Sequence, residues 1–294
     1  MQPFSPEGLS ASPPSLDALR RGTGTGEIFQ AMCVKCDEFH TLHLDLGEIR
    51  GVIPREEAAL GLSEGRIREI AVLSRVGKPV SFQVLEFRPD GTVLCTRRAA
   101  QLEARSYFLS ALRPGDILPA RVQNVSELGA FCDIGCGFTA LMRIDRCCIS
   151  RLQNAAELFH PGQPICAAVL SADDCAGQIA LTCRELLGTW EENAEKFRQG
   201  QTVTGTVRSV MPYGIFVELT PNLSGLAEPA PGIEIGDSVS VYLRAILPQK
   251  HKIKLNILEK LPTPLPIQPP EYFITSGHIG RWEYFPGSRA ATRF

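Results

Sequence analysis

The stretch Val203–Leu219, VTGTVRSVMPYGIFVEL, predicts two short strands joined by a turn. In the second strand the apolar residues alternate with Phe216, so this phenylalanine shares its face with the charged residue Glu218. A phenylalanine in phase with a glutamate is expected on the solvated face of a half-buried sheet. A second aromatic residue, Tyr213, lies in the turn. This aromatic pair is therefore the first candidate for a binding surface.

The same arrangement recurs twice earlier in the chain, in weaker form. Each unit begins with a strand that has a small residue between two apolar ones, namely Ala31, Ala120 and Gly205. A glycine then introduces a further alternating strand, and each unit closes with a short strand after a turn; these glycines are Gly77, Gly162 and Gly236. Each unit has room for about five short strands, which predicts a mainly β protein with one small barrel per repeat.

Segments of other composition separate the repeats. Ala99–Leu112 and Arg184–Phe197 have helical patterns that end at glycine-containing stop signals, and we expect them to orient one barrel against the next. The predicted organisation is a flexible leader over 1–25, a degenerate repeat over 26–98, a helical linker over 99–114, a second repeat over 115–184, a second helical linker over 185–199, a third repeat over 200–260, and a Pro-rich extended linker with an aromatic tail over 261–294. The sequence leaves open whether this tail docks on a partner or back on the protein.

Composition narrows the possible functions. No apolar run is long enough for a membrane span, and the first residues do not resemble a signal peptide, so we expect a cytoplasmic protein. The ten cysteines fall largely in apolar strand patterns, where free thiols behave as small hydrophobic residues. The formal net charge is −2, so any binding to nucleic acid must come from local cations and stacking.

With these motifs in view, the chain resembles the S-one RNA-binding domain family, the OB-fold repeat of a bacterial small-subunit ribosomal protein. The third unit carries the family pattern most plainly, in Gly200–Val207 and Tyr213–Leu219. The second unit repeats it in Leu128–Ile134 and Thr139–Arg143, and the first keeps only short pieces. The resemblance covers roughly residues 26–260. It implies three tandem five-stranded OB-fold barrels that bind single-stranded mRNA on or near the small ribosomal subunit.

The candidate RNA-binding residues are aromatic side chains beside cations, since such a face can stack bases and neutralise phosphates. They are, in the third repeat, Tyr213, Phe216, Lys250, Lys252 and Lys254, and in the second repeat, Phe131, Arg121 and Arg143. The alternatives are that Phe216 is a rim residue under the inter-domain linker and that the lysines form an ordinary solvated hairpin. The resemblance implies the strongest RNA binding for the third repeat, partial binding for the second and the weakest for the first.

Chemistry of other kinds has little support in the sequence. Cys33, Cys36, His40 and His43 could suggest zinc, but the first and last of these fall in strand phase, so we expect no metal. There is no phosphate-binding glycine loop and no nucleophile elbow, which indicates a protein without catalysis or cofactor. The alternative function is a protein-interaction scaffold that docks on ribosomal or RNA-processing partners and has little RNA affinity of its own.

Overall fold

Three closed β-barrels of five strands each form the protein, which confirms the predicted fold class. The computed structural model describes residues 4–8, 13–173 and 177–294. In each barrel the first strand pairs with the second and fourth, and the third strand pairs in parallel with the fifth, which closes the barrel.

The strands of the three barrels follow one another in chain order. The first barrel contains β1 (Ile28–Cys36), β2 (Leu42–Asp45), β3 (Arg50–Ile53), β4 (Pro79–Phe87) and β5 (Thr92–Thr96). The second contains β6 (Ile117–Ser126), β7 (Gly129–Asp133), β8 (Thr139–Arg143), β9 (Pro164–Asp173) and β10 (Gln178–Thr182). The third contains β11 (Thr202–Met211), β12 (Gly214–Thr220), β13 (Leu223–Ala227), β14 (Ser238–Leu247) and β15 (Lys252–Lys260).

The small residues near the start of each barrel are required by close packing. Ala31 and Ala120 are buried in the first strands of their barrels. A side chain at Gly205 would bring its Cβ to 2.5 Å from the carbonyl oxygen of Glu218 on the neighbouring strand. The strands therefore approach one another too closely at this point for a larger residue.

Within the described ranges, four α-helices lie outside the barrel strands: α1 (Leu16–Arg21), α2 (Ile70–Leu73), α3 (Arg97–Ala111) and α4 (Trp190–Ala194). Helix α3 agrees closely with its prediction and is capped by the Thr96 side chain. The prediction of a helix over Arg184–Phe197 was wrong in extent. Gly188 has a φ of +83°, which ends any helix, and Thr189 then caps a new, shorter one. None of the helices in the described residues is long and apolar enough to cross a membrane.

Four cysteines placed in strand patterns are buried, as their alternation predicts: Cys33, Cys95, Cys132 and Cys183. A fifth, Cys166, is half-buried. Burial raises the pKa of the Cys33 thiol to about 11 and that of Cys95 to about 12, which favours the uncharged form. Every cysteine that the structure describes is free rather than joined in a disulfide.

The N-terminal segment is packed rather than free where the structure describes it, unlike the expected flexible leader. Residues 1–3 and 9–12 lie outside the described residues. Phe4 is buried against the rings of Tyr107 and Phe108 on α3, at centroid distances of 5.4 and 5.8 Å. The side chain of Glu7 is 5% exposed and lies between the first two barrels. These contacts join residues that lie about a hundred positions apart in the sequence, so no local pattern predicts them.

The aromatic C-terminal tail docks back on the protein, which decides the question that the sequence left open. Its strands β16 (Arg281–Glu283) and β17 (Ala291–Arg293) form a small hairpin. Trp282 and Tyr284 are buried in the core cluster of the third barrel. Upstream of the hairpin, Ile279 N–H donates to the Gly115 carbonyl at 2.9 Å, which ties the tail to the second barrel as well. The described residues between β15 and β16 contain no helix or strand.

Candidate nucleic-acid interface

The outer face of the third barrel brings an aromatic ring and a cation into one row across neighbouring strands. Phe216 on β12 pairs with Leu226 on β13, and Leu226 pairs with Lys254 on β15. Paired residues on adjacent strands project from the same face of a sheet. Ile215 and Val217 point the opposite way and are buried in the barrel. Phe216 itself is half-buried, as the alternation predicts.

Tyr213 lies in the turn that precedes this row and is 67% exposed. Its ring contacts Phe216 edge to face, with centroids 6.3 Å apart and planes at 89°. The hairpin that carries this pair is tight, since a Cβ at Gly214 would lie 2.6 Å from the carbonyl oxygen of Ala227. The two rings therefore present one exposed and one half-exposed π surface at the same corner of the barrel.

The three lysines predicted for this site lie along one strand and the turn before it. Lys252 and Lys254 alternate outward along β15, and Lys250 lies in the turn that leads into it. All three are exposed, and none forms an ion pair within the part of the chain that the structure describes. Only Lys254 is in the row of Phe216, and the other two extend the positive charge toward the turn.

The turn that holds these lysines is fixed by the C-terminal tail. His251 adopts a left-handed backbone with φ of 48°, and its ring stacks on Phe285 at 4.1 Å with planes at 8°. Its Nε2 lies 2.9 Å from the Glu191 carboxylate on α4. His251 therefore anchors the lysine-bearing turn to the linker and the tail.

The second barrel covers the outer face of the third barrel at the Glu218 end of β12. The carboxylate of Glu218 accepts two hydrogen bonds from Arg208, at 2.8 and 3.0 Å. Arg208 also forms an ion pair with Glu157, which belongs to the second barrel. Beside them the hydroxyls of Ser150 and Ser224 lie 3.2 Å apart, again across the two barrels. The open part of the face therefore runs from Phe216 toward β15 rather than along the whole of β12.

The second barrel repeats the row without its cation. Phe131 pairs with Leu141, and Leu141 pairs in turn with Ala180, which stands where the third barrel has its lysine. Arg143 is exposed two residues beyond Leu141 on the same face and bonds to Asp145 at 3.1 Å. At the tip of the hairpin, where the third barrel has a tyrosine, Leu128 is 69% exposed.

The structure does not bring Arg121 to Phe131, with which it was grouped. Arg121 pairs with Asp133 at the opposite end of β7. Its guanidinium donates to the carbonyl oxygens of Gly162 at 2.9 Å and Glu7 at 2.7 Å. The N-terminal segment therefore binds this cation, and the sequence contains no local signal of that contact.

The first barrel has a histidine where the others have a phenylalanine. His43 pairs with Val52, and Val52 pairs with Leu94, so the row has no cation at its end. The His43 ring is held by Asp37 at 2.9 Å. Phe39, which the sequence reasoning missed, is 74% exposed at the tip of the hairpin. Its position between two strand patterns, as for Tyr213, is the signal that could have identified it.

The histidines once considered for zinc have carboxylate partners. His40 Nδ1 lies 3.0 Å from Glu69, in addition to the contact between His43 and Asp37. In the described ranges no group of three or more histidine, cysteine, aspartate or glutamate side chains is arranged to hold a metal ion.

Comparison with known proteins gives a consistent set of relatives. A small ribosomal subunit protein bS1 homolog of Bacillus subtilis is 30% identical over 257 residues, which cover 82% of this chain and 65% of that protein. The bS1 proteins of Leuconostoc lactis and Staphylococcus aureus are each 27% identical to it over 75% of this chain. The matched regions cover 54% and 59% of those two proteins, respectively. The chain is a homologue of the bS1 ribosomal proteins. The predicted resemblance is therefore confirmed.

The chain spans less than two thirds of the length of these bS1 relatives. No protein-family model matches it. Among solved structures, a multidomain protein with nucleic acid binding domains from Streptococcus pneumoniae covers 81% of this chain and 76% of its own, with 15% identity and a TM-score of 0.27. A similarity that low adds nothing to the bS1 relationship.

Proposed function

We propose that this bS1 homologue is a cytoplasmic, non-catalytic protein that binds single-stranded mRNA and associates with the small ribosomal subunit. The names of its relatives support the ribosomal association. One structural observation supports the RNA site most directly, namely the row of Phe216 and Lys254 with Tyr213 at its corner. We take the segments 26–98, 115–184 and 200–260 as the three repeats and the third as the main binding unit.

The proposed site works by stacking and charge neutralisation. A base that stacks on Tyr213 or Phe216 gains about 1–3 kcal/mol, whatever its identity, because every base has a π face. The next phosphates along the strand then meet Lys254 and, toward the turn, Lys252 and Lys250. Such binding depends on few direct base contacts, so it is weakly sequence-specific and falls with salt.

The second repeat adds a weaker site in series. Phe131 and Arg143 share an outward face, but Ala180 replaces the cation at the end of the row. A weak site on the same chain still contributes, because binding at the third repeat raises the effective concentration of the RNA near the second. Arg121 is not part of this proposed face.

Fluorescence anisotropy with an unstructured, labelled RNA tests the proposal. The double variant Tyr213→Ala with Phe216→Ala removes the platform, and we expect the dissociation constant to rise about tenfold or more. Lys254→Gln should weaken binding and reduce the slope of affinity against salt by about one unit. Unchanged affinity in the double variant would remove the third repeat as the main site.

Phe39→Ala is the matched control, because it removes an equally exposed aromatic residue from the tip of the equivalent hairpin in the first repeat. The first repeat has no cation in its row, so we expect this variant to bind RNA nearly as the unaltered protein does. A larger loss from Phe39→Ala than from Tyr213→Ala would contradict the choice of the third repeat.

A protein-interaction scaffold is the second candidate, and the surface of the first barrel favours it. This barrel exposes seven large apolar side chains: Met32, Val34, Phe39, Ile70, Leu73, Val76 and Leu85. A protein partner that covered a contiguous group of these side chains would remove apolar surface from water. Affinity purification with and without nuclease separates the two functions. Ribosomal partners that survive nuclease favour the scaffold, and partners that are lost with the RNA favour RNA tethering.

A further inference from the structure

A cavity of about 230 Å³ lies between the first and second barrels, away from the proposed RNA face. It is lined by the turn before β4, the middle of β6, the end of β7 and the N-terminal segment, and it opens to solvent. Its walls carry three cationic side chains, Arg75, Lys78 and Arg121. Neither the third-repeat site nor the packing of the barrels gives these three residues a common role.

Two of the cations lack an acidic partner. Within residues 4–8, 13–173 and 177–294, neither Lys78 nor Arg121 forms an ion pair. The guanidinium of Arg121 is held by two carbonyl oxygens, of Gly162 and Glu7, which fix its position without neutralising its charge. A guanidinium fixed in this way is preorganised to bind an anion in two-point contact.

The third cation leaves a donor unused. Arg75 donates from Nη1 to the carboxylate of Glu7 at 3.4 Å. Its Nε–H is buried and has no acceptor among the described residues. A buried donor without an acceptor is unfavourable, so a ligand oxygen that reaches this N–H satisfies it and binds more tightly for that reason.

The two carboxylates in the cavity wall are already occupied. Glu7 accepts from Arg97 at 2.9 and 3.0 Å and from the backbone N–H of Ser81 at 2.9 Å. Asp133 accepts from the backbone N–H groups of Glu7, Gly135 and Gly137, at 2.7, 2.8 and 3.0 Å. With Arg97 included, four cations face two acids, so the cavity has an excess of positive charge.

We propose that this cavity is a binding site for a phosphate group, held by Arg121, Lys78 and Arg75. A cavity of this size holds several waters, and so it accommodates one phosphate. The phosphate belongs either to the backbone of an RNA strand that passes between the first two barrels or to a free phosphorylated metabolite. Both sources offer the same oxygen acceptors to the same three cations.

Isothermal titration calorimetry of the full chain with inorganic phosphate, at constant ionic strength and with chloride as the reference anion, tests the site. We expect saturable binding by the unaltered protein and a loss of affinity of about tenfold or more in Lys78→Gln. Arg121→Gln should have a similar effect, and circular dichroism checks that each variant is folded. Arg88→Gln is the control, because it removes a cation at the far end of β4.

The outcomes are distinct. Phosphate binding that Lys78→Gln weakens and Arg88→Gln does not supports the site. No saturable binding by the unaltered protein, or equal binding by Lys78→Gln, overturns it. RNA anisotropy then separates the two sources: a weaker RNA complex in Lys78→Gln assigns the phosphate to an RNA backbone, and an unchanged one assigns it to a free ligand. The calorimetric readout uses no RNA, so it stands or falls independently of the third-repeat site.

Discussion

Removing one buried charge, with Glu7→Gln, should release the N-terminal segment from the groove between the first two barrels. The carboxylate of Glu7 accepts two hydrogen bonds from Arg97, which is itself 4% exposed, and a third from the Ser81 N–H. An amide has a single acceptor oxygen. Its NH2 group would face the donors of Arg97 and Arg75, so two charge-assisted bonds are lost and a buried cation is left without its counter-charge.

The size of the effect follows from these contacts. Breaking a buried ion pair by removing one partner costs about 3–5 kcal/mol. The loss is limited by the free energy with which residues 4–8 dock, because undocking lets water reach Arg97. Burial of the Phe4 ring contributes about 1.5–3 kcal/mol to that docking. We therefore expect local release of the segment rather than unfolding of either barrel.

Amide hydrogen exchange is the assay, because it reports local opening. A loss of about 3 kcal/mol lowers the protection of the Ser81 amide by about a hundredfold. Glu86→Gln is the control, since Glu86 is 62% exposed and lies 3.8 Å from Arg88, and surface pairs of this kind contribute less than about 1 kcal/mol.

A double-mutant cycle of Glu7→Gln with Arg97→Gln then isolates the pair. If the ion pair holds the segment, the loss of free energy of protection at Ser81 in the double variant is much smaller than the sum of the losses in the two single variants. Strictly additive losses, or unaltered protection of Ser81 in Glu7→Gln, would refute the assignment of docking to this buried charge.

Three further predictions concern other parts of the molecule. Burial raises the pKa of Asp133 above its value in the unfolded chain, so the folded protein holds this proton more tightly and loses stability as pH rises between about 4 and 7. Denaturant titration should therefore show that the free energy of unfolding, taken relative to Asp133→Asn, falls over that range. A flat difference would contradict the inference. Tyr284→Phe removes the hydroxyl that donates to the buried carbonyl of Asn222, and should lower the free energy with which the tail docks by about 1–2 kcal/mol. Limited proteolysis should then cleave the tail faster, and equal rates would contradict the prediction. Gly214→Ala places a Cβ 2.6 Å from the carbonyl oxygen of Ala227, and should lower the free energy of unfolding by about 1–3 kcal/mol and weaken RNA binding. An unchanged melting temperature would show that the hairpin accommodates the added methyl group.

The local sequence pattern was sufficient to predict burial or exposure wherever the position of a residue in its own strand decides its environment. The alternation around Phe216 predicted its outward face because successive side chains of a strand point to opposite sides. Repetition of that pattern three times predicted three barrels, and burial of Cys33 and Cys95 followed from the same period. The extent of the second linker helix was not predicted, because a single glycine, Gly188, adopts a backbone conformation that ends it.

The sequence by itself determined the number of barrels, their bS1 relationship and the aromatic pair of the third repeat. Only the tertiary structure decided that Glu7 and the C-terminal hairpin dock, that Arg121 faces the N-terminal segment, and that His251 stacks under the tail. Each of these contacts joins residues far apart in the chain or on different elements. Periodicity reports which side of its own strand a residue occupies, and it contains no information about which distant segment covers that side.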